Sequence, residues 1–416
     1  MPRLPGRPAI VSHVLPPSPS GQAIVLERLL SGFAPDSFCL MSREDYSRPP
    51  AWHPREGDLL ARLPATYHHL AEPVRLGASL RPLPPWLRHR AGLTIRLLHR
   101  AWRIRQLVDR EGCGAVLAAS GDLLDLPAGY IASRLCGVPF FAYLFDDYAC
   151  QWTVPGHRAF ARRAERALIR GAAAVVVPNP ALAEAYRRRH ACDPVVLPNP
   201  AHELACQGAA PPAPPEPAAQ APRGNGRRIV YTGSIYGAHF DAFANLGEAL
   251  ARLGRPEVSV HVYTWQDPAE LRRELPGIDI TYHPHLTGGD LATVQREADL
   301  LFLALAFTSE IPEAVRTASP AKLGDYLASG RPILVHAPAP SFVADYFRRH
   351  ECGWLVDSFD AGALAEGIAR LLDDSAAAAD AIRRAGERHA EDFSLAVARC
   401  RLVSILASSV RADRER

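Results

Sequence analysis

Lysine is almost absent from this chain. The 416 residues include 47 Lys and Arg, and Lys322 is the single lysine among them. Because arginine fills the other basic positions, most arginines carry little information, whereas the lysine stands out. Arginine is a planar fork and lysine a compact point charge, so a tight site built around one phosphate oxygen can reject the exchange. Lys322 is therefore a candidate site residue, and the alternative is a lysine left on a solvated helix face.

Clustered cysteines and long apolar runs are also missing. The 8 Cys are scattered, without C-x-x-C spacing or a metal-type cluster. This argues against a zinc site and a disulfide framework and predicts a reducing compartment. The N-terminal apolar run is too short for a signal peptide, and no run is long enough to span a membrane. We expect a cytoplasmic protein without a metal site.

Charge and composition divide the chain near its middle. Residues 1–200 contain 25 arginines and 16 acids, or +9, and the remainder has 22 Lys and Arg against 28 acids, or −6. A basic half joined to an acidic half suggests two domains with different partners. A Pro/Ala-rich run without periodicity lies between them. The expected parts are an N-terminal domain, a linker and a C-terminal domain, at residues 1–203, 204–226 and 227–393.

Short apolar runs alternate with helix-like segments on both sides of this linker. AIVSHVL and PFFAYLF are examples from the first half, and RIVYTGS and LLFLALA from the second. Strands buried on both faces and alternating with helices predict an α/β fold with a doubly wound parallel sheet, here twice. Two such Rossmann-like domains facing each other would place a ligand cleft between the carboxyl ends of their sheets.

Four segments of the second half carry a family resemblance. YTGSIYG, ADLLFLAL, SPAKLGDYLASGRPIL and CGWLVDSFDAGALAEGIARLLDD follow one another between residues 231 and 374. Their order resembles that of retaining glycosyltransferases of the GT-B fold, family 4 type, and GVPFFAYLFDDY agrees more loosely in the first half. The resemblance covers nearly the whole chain. It implies that the domain at 1–203 binds the acceptor, that the domain at 227–393 binds the nucleotide sugar, and that a last helix, at 394–416, crosses back to the first domain.

The resemblance also implies an activity. Such an enzyme moves a sugar from a UDP- or GDP-sugar to a hydroxyl acceptor, which can be a glycan, a lipid-linked glycan or a small molecule. It does so with retention and without a required cofactor or metal. Two other functions stay open on the same two-domain plan: a non-hydrolysing sugar-nucleotide epimerase, and a catalytically silent scaffold that binds a nucleotide.

The motif YTGSIYG is predicted to meet the donor diphosphate. Gly233 and Gly237 permit close approach of the backbone, and Ser234 supplies a small donor, at the turn between a strand and a helix where anions bind. A Gly-Ser turn after a strand is also often only a turn. The Arg and Lys pair that the family has after this motif is missing here, and His239 is the one basic residue in this stretch.

The motif SPAKLGDYLASG is the more specific of the two. Ser319 is a plausible N-cap with Pro320 at the first helical position, so the helix would point its N–H groups at an anion. Lys322 suits a diphosphate oxygen, and Asp325, on the same helix face, suits the hydroxyls of a ribose. The alternative is a capped surface helix with an internal Lys–Asp pair.

One family carboxylate is missing near the donor sugar. The position expected to be glutamate, eight residues before the ribose-binding acid, is Thr317 here. Glu310 or Glu313 could take this role from a neighbouring loop. With the Arg and Lys pair also missing, diphosphate neutralisation would fall on Lys322, with Arg316 as a helper.

The first half offers candidates for the acceptor side. Gly21 lies in the loop LPPSPSGQ, which matches the family's glycine-bearing loop over the donor phosphates. Asp146 and Asp147 stand where many relatives have a histidine, and they could orient an acceptor or sugar hydroxyl. Adjacent acids at a strand end are also a common turn. His13 is interpreted as a structural histidine.

A basic stretch extends from Arg75 to Arg110. It has nine arginines and one acid, Asp109, interleaved with leucine, isoleucine and Trp86 and Trp102. A basic helix with tryptophan at its margins can lie on an anionic membrane surface. Basic stretches are more often simply solvated, and no RNA-binding signature supports nucleic acid. We expect a peripheral association with the inner membrane face.

Overall fold

The chain forms two compact units. The computed structural model describes residues 1–16, 18–46, 63–73, 84–202 and 226–412. The first unit comprises Met1–Pro198 together with Ala396–Arg416, and the second comprises Asn199–Leu395. The predicted linker at 204–226 lies almost wholly outside the described residues.

The first unit is built on a parallel sheet of seven strands. The strands are β1 Pro8–Val11, β2 Cys39–Ser42, β3 Thr66–His69, β4 Ala115–Ala119, β5 Phe140–Tyr143, β6 Ala174–Val177 and β7 Val195–Val196. Their spatial order is β3-β2-β1-β4-β5-β6-β7, with every neighbouring pair parallel. The helices are α1 Gly21–Leu30, α2 Pro85–Glu111, α3 Asp125–Cys136, α4 Pro155–Gly171 and α5 Pro180–His190. The order reverses between β1 and β4, so these two strands form the switch point.

The second unit repeats the plan with six parallel strands. They are β8 Arg227–Thr232, β9 Val258–Tyr263, β10 Ile280–His283, β11 Leu300–Ala304, β12 Ile333–His336 and β13 Trp354–Val356. Their order is β10-β9-β8-β11-β12-β13, so the switch point lies between β8 and β11. The helices are α6 Phe240–Leu253, α7 Pro268–Glu274, α8 Gly288–Glu297, α9 Pro312–Thr317, α10 Lys322–Ala328, α11 Phe342–His350, α12 Ala361–Asp373 and α13 Ser375–Asp392.

The central strands explain why the sequence folds in this way. Every residue of β1, β4, β5, β11 and β12 is buried, as expected for strands covered by helices on both faces. The prediction of two doubly wound parallel sheets is confirmed. Inside the first core, the thiols of Cys39 and Cys113 lie 3.2 Å apart, and both cysteines are free.

The last helix, α14 (Leu395–Ala412), packs within the first unit. Leu402 and Leu406 are buried. The guanidinium of Arg399 donates hydrogen bonds to the carbonyls of Arg28 (2.6 Å) and Leu29 (3.2 Å) at the end of α1. These contacts attach α14 to α1, because they satisfy carbonyl groups that a helix leaves unpaired at its C-terminus.

The segment before the linker belongs to the second unit from Asn199 onward. The amide of Asn199 donates to the carbonyl of Ser319 over 2.9 Å, and the Ala201 N–H donates to the carbonyl of Phe393 over 3.0 Å. Residues 199–202 therefore pack with the second core, whereas the composition of the chain suggests a boundary after residue 203.

Candidate functional site

The loop after β8 has a fixed conformation at the switch point of the second sheet. Gly233 has φ of 109°, a conformation that glycine adopts without strain. Its N–H donates to the carbonyl of Tyr263 over 2.8 Å, and the Tyr231 hydroxyl donates to the carbonyl of Ser234 over 2.8 Å. A ligand could approach the backbone closely here.

Two residues of the loop after β9 hold the same segment in place. Gln266 accepts from the N–H of Ile235 (2.7 Å) and donates to its carbonyl (2.8 Å). The indole N–H of Trp265 donates to the Ser234 hydroxyl over 2.9 Å, which leaves the hydroxyl proton of Ser234 for another acceptor. The sequence analysis did not identify Trp265 or Gln266, because their role depends on the pairing of β8 with β9.

Lys322 lies beside Gly233. Its Nζ is 3.8 Å from the centroid of the Tyr231 ring and 3.4 Å from the position that a Cβ on Gly233 would occupy. Burial lowers the pKa of this ammonium to about 7, and no carboxylate of the described residues forms an ion pair with it. Lys322 is therefore a partly desolvated cation with an aromatic contact and no counter-ion.

The predicted N-cap at Ser319 is wrong. The helix begins at Lys322, its N-cap is Ala321, and no side chain caps it. The carbonyl of Pro320 instead accepts from the Leu323 N–H over 3.0 Å in a turn. The Ser319 hydroxyl is buried without a hydrogen-bond partner among the described residues. Ser319 therefore does not cap this helix, and Lys322 is the charged group at its start.

Asp325 and Lys322 contact different neighbours, although they share a short helix. The Asp325 carboxylate accepts from the N–H of His202 over 2.9 Å and is 9% exposed. It thereby attaches residues 199–202 to the second unit. The alternative of a surface helix with an internal Lys–Asp pair is therefore wrong, because Lys322 lies over the Tyr231 ring instead.

The segment between β11 and Lys322 carries the acids expected near the donor sugar. Glu313 is half-buried, and its Oε2 has no hydrogen-bond partner among the described residues. Glu310 and Arg316 are exposed. The Thr317 hydroxyl donates to the carbonyl of Glu313 over 3.2 Å. At the position of the missing family glutamate, the side chain therefore turns back onto its own helix.

His239 precedes α6 and supports the loop after β8. It is 5% exposed, and burial together with the charge of Lys322 holds its pKa well below the ordinary value. The N–H of Tyr236 donates to its Nδ1 over 3.5 Å. A neutral, buried ring cannot neutralise a diphosphate, so the structure favours a supporting role over a charged donor contact.

Asp241, in the first turn of α6, joins the loops at the switch point. Its Oδ2 accepts hydrogen bonds from the N–H groups of Phe307 (3.0 Å) and Thr308 (2.7 Å). The Ala306 N–H donates to the carbonyl of Ala238 over 2.7 Å. The other oxygen, Oδ1, is buried without a hydrogen-bond partner among the described residues. The sequence offered no signal for this residue except an acid near a helix start.

The carboxyl edge of the first sheet brings different residues together. Gly21 is exposed and opens α1, whose N-cap makes no side-chain hydrogen bond. His13 and Gln22 lie against Gly121, where a Cβ would clash with Cε1 of His13 and with Oε1 of Gln22. Burial lowers the pKa of His13. The sequence predicts a structural role for His13. The position of His13 at the β1–β4 switch point could not be predicted from the sequence.

Asp146 and Asp147 have different environments. Asp147 is 2% exposed, and its carboxylate accepts both arms of the Arg189 guanidinium, at 2.9 and 3.2 Å. The structure therefore gives Asp147 a buried structural ion pair. Asp146 is exposed by surface area, and loss of water around its carboxyl group together with the charge of Asp147 raises its pKa. Asp146 is the one of the two that can meet an acceptor.

The basic stretch forms a long helix from Pro85 onward, and residues 75–83 lie outside the described part. Arg100 points inward: its side chain is 4% exposed and pairs with Glu72 (2.7 Å), Asp125 (2.7 Å) and Asp122. Burial, with the charge of Asp122, raises the pKa of Asp125 to about 7. Arg100 is thus structural and does not belong to the exposed basic surface.

The described residues include neither a membrane-spanning helix nor a cluster suited to a metal ion. No described helix has both the length and the apolar character needed to cross a membrane. Across the same residues, no group of three or more His, Cys, Asp or Glu side chains is arranged to hold a metal ion.

The sheet topology and the residues at the carboxyl ends of the strands define a class of protein, the two-domain Rossmann-like proteins of the GT-B type. Residues 20–200 match the model of a glycosyl transferase 4-like domain, and residues 226–374 match that of glycosyl transferases group 1. Together these matches span most of the chain. It therefore belongs to the glycosyltransferases in which these two domains follow one another. No curated protein matches the sequence.

Solved structures establish the same fold. HepE from Anabaena in complex with UDP-glucose is 16% identical with a TM-score of 0.68, covering 96% of this chain and 99% of HepE. Sucrose-phosphate synthase from Thermosynechococcus elongatus is 17% identical with a TM-score of 0.66, covering 97% and 99%. An α,α-trehalose 6-phosphate synthase from Burkholderia multivorans is 14% identical with a TM-score of 0.63, covering 99% and 100%. The chain is thus a glycosyltransferase with the GT-B fold.

Proposed function

We propose that this glycosyltransferase takes a sugar from a nucleoside diphosphate sugar, UDP- or GDP-linked, and transfers it with retention to a hydroxyl acceptor. The proposal rests on the surroundings of Lys322. A half-buried ammonium that forms no ion pair with a described carboxylate lies beside a glycine-bearing loop at the switch point of the second sheet. A diphosphate would supply the missing countercharge. The UDP-glucose in the HepE structure supports a UDP-sugar.

Lys322 would act on the leaving group. Negative charge develops on the diphosphate as the bond to the sugar breaks, and a fixed cation in a partly dry site stabilises that charge more than water does. This charge would make a metal unnecessary. Glu313, with its free buried oxygen, lies on the segment expected near the sugar, and exposed Asp146 would orient the acceptor hydroxyl.

Binding measurements with Lys322 variants test the donor site. We expect Lys322→Met to weaken UDP and UDP-sugar binding by roughly ten- to a hundredfold, because a hydrogen bond to a charged group contributes about 1.5–3 kcal/mol. Lys322→Arg should recover little, since the fork does not reproduce a point charge. Arg349→Met, at an exposed position of α11, is the matched control and should bind normally. Calorimetric titration with UDP, GDP and their sugars gives the affinities.

The reaction products distinguish a glycosyltransferase from an epimerase and from a scaffold without catalytic activity. A released nucleotide with a glycosylated acceptor supports the proposal, an isomerised sugar indicates an epimerase, and binding without turnover indicates a scaffold. A Lys322→Arg protein as active as the parent would show that the site does not need a point charge.

We also propose that α2 docks on an anionic membrane surface. Its exposed side includes Leu87, Ile95, Leu98 and Trp102, from 36% to 54% exposed. Their spacing puts them on one stripe of the helix. Exposed arginines lie on the same helix: Arg88, Arg90, Arg96 and Arg105. Apolar side chains flanked by arginines suit the boundary between acyl chains and anionic headgroups.

A further inference from the structure

The oxygen Oδ1 of Asp241 is an unusual feature of the second unit. A buried acceptor without a hydrogen bond is destabilising, and most buried polar atoms have a partner. Oδ2 of the same carboxylate already accepts two backbone N–H groups, from Phe307 and Thr308. These bonds fix the orientation of the carboxylate and hold Oδ1 in place, and both lone pairs of Oδ1 are without a hydrogen bond from the described residues.

Aromatic rings lie next to this carboxylate. The Phe307 ring centroid is 5.3 Å from that of Phe359 and 4.5 Å from that of His336. Phe359 follows β13 and is 56% exposed, which is unusual for phenylalanine. His336 is fixed by Asn245 (2.9 Å) and by the carbonyl of Val356 (3.0 Å). Phe307 therefore connects the Asp241 carboxylate, through its N–H, with the exposed Phe359 ring at the carboxyl edge of β11, β12 and β13.

The chemistry of this group selects a ligand class. A carboxylate repels a phosphate, so Asp241 does not belong to the diphosphate part of the site. No cluster of three acids and histidines among the described residues favours a metal here. A sugar ring has hydroxyl groups that donate to a carboxylate and an apolar face that packs on an aromatic ring.

We propose that Asp241 and Phe359 form the subsite for the transferred sugar, with Oδ1 accepting a hydrogen bond from a sugar hydroxyl. This inference rests on the proposed function, because it takes the ligand to be a nucleotide sugar whose diphosphate lies at Lys322. Asp241 binds substrate and also holds the loop after β11, so the two roles must be separated by experiment.

Asp241→Asn separates them. The amide oxygen can still accept from the Phe307 and Thr308 N–H groups, while the NH₂ group then occupies the place of Oδ1 and cannot accept a sugar hydroxyl. Asp290→Asn is the matched control, since Asp290 is an exposed acid in the first turn of α8. For each full-length protein, calorimetric titration measures the affinities for UDP and for the UDP-sugar that the parent binds best.

We expect the parent to bind the UDP-sugar more tightly than UDP. In Asp241→Asn this preference should fall by about tenfold, because a hydrogen bond to a charged group is lost. The affinity for UDP itself should stay within about twofold, because the loop is intact. Phe359→Ala should also reduce the preference without changing UDP binding, and Asp290→Asn should match the parent. Deoxy analogues of the sugar then identify the hydroxyl: removing it weakens binding to the parent and leaves Asp241→Asn unchanged.

Three outcomes would overturn the inference. If Asp241→Asn keeps the full preference for the UDP-sugar, Asp241 does not touch the sugar. If it loses UDP affinity and sugar affinity equally, the residue acts only through the loop. In both cases a parent that binds UDP in a Lys322-dependent manner leaves the proposed function standing. A parent that binds neither UDP nor any nucleotide sugar overturns the proposed function as well.

Discussion

Lys322 illustrates how the surroundings of one residue decide its chemistry. The chain has exposed arginines in ion pairs throughout, such as Arg348 with Asp345 at 2.6 Å and Arg383 with Glu387 at 2.7 Å, and such pairs contribute little to stability. Lys322 is partly buried and forms no ion pair with the described residues, so its ammonium group loses a proton more easily than an exposed lysine does. A ligand that brings negative charge would therefore change the protonation of this residue.

This leads to a prediction about pH. In the free protein the pKa of Lys322 is lowered to about 7, and a bound diphosphate should raise it. Below pH 7 the lysine is already charged. Above it, binding must take up a proton, so the affinity for UDP should fall as pH rises, by up to about tenfold per pH unit. Calorimetry at pH 8 in two buffers of different ionisation enthalpy measures the proton uptake.

Lys322→Arg is the control for this measurement, because arginine stays charged and its binding should not take up a proton. Equal UDP affinity of the parent between pH 7 and pH 9, without proton uptake, would refute the account of a weakly held proton.

Some side-chain roles could be predicted from the sequence and others could not. Lys322 stood out as the one lysine in an arginine-rich chain. Asp147 and Asp146 are adjacent and chemically identical, and only the position of Arg189 on α5 decides that Asp147 is paired and Asp146 is exposed. Asp241 was missed because its partners are backbone N–H groups far along the chain.

At the scale of elements, α2 has two faces with different tasks. The inner face carries Arg100 in its buried ion pairs, and the outer face carries the exposed apolar stripe. Because Arg100 is buried, the proposed attraction to an anionic membrane would depend on the outer arginines alone.

We predict that the protein co-sediments with vesicles containing phosphatidylglycerol and dissociates as salt is raised, since exposed charges are screened within a Debye length. Replacing Arg88, Arg90 and Arg96 by glutamine should weaken vesicle binding by roughly a hundredfold, because each arginine near the surface contributes about 1 kcal/mol. Leu98→Ser should also weaken it. Sedimentation at increasing lipid concentration gives the partition coefficients.

A charge-matched variant controls for net charge. Arg273, Arg349 and Arg383 are exposed residues of the second unit, and replacing them by glutamine should leave vesicle binding unchanged. Equal binding to neutral and anionic vesicles would rule out the electrostatic part of this interface.

The strands and helices differ in how well the sequence predicts them. Runs such as AVLAA in β4 and LLFLA in β11 are buried throughout, so composition is sufficient to identify them. The start of α10 was placed too early, because Ser-Pro resembles a helix start, whereas the turn at Pro320 and the contact of Asn199 with Ser319 determine the local conformation.

At the scale of the whole molecule, the first unit is discontinuous in sequence. Its core contains residues 1–198 and the last helix α14, and the second unit occupies the chain between them. Composition indicated two domains, and the family resemblance indicated the return of the last helix. The apolar spacing in α14 shows that one face is buried and does not identify the unit that covers it.

We predict that Leu402→Ala destabilises the first unit and spares the second. Leu402 is 3% exposed, and truncating a buried leucine costs about 2–5 kcal/mol. Hydrogen exchange should accelerate in β1, α1 and α14, while the strands of the second sheet and the affinity for UDP stay unchanged. Val397→Ala, at a position 40% exposed on the same helix, should alter stability by about 0.5 kcal/mol or less. Uniform acceleration in both units would contradict this division.

The discontinuity of the first unit also sets an order of events during synthesis. The ribosome completes all of residues 199–395 before α14 emerges. At roughly 5–20 residues per second, synthesis of this stretch takes on the order of 10–40 s. Throughout that time Leu26, Leu29 and Leu30 of α1 lack the helix that lines their pocket. Until α14 emerges, the nascent chain therefore exposes these apolar residues, and we expect chaperone binding to be strongest in this interval.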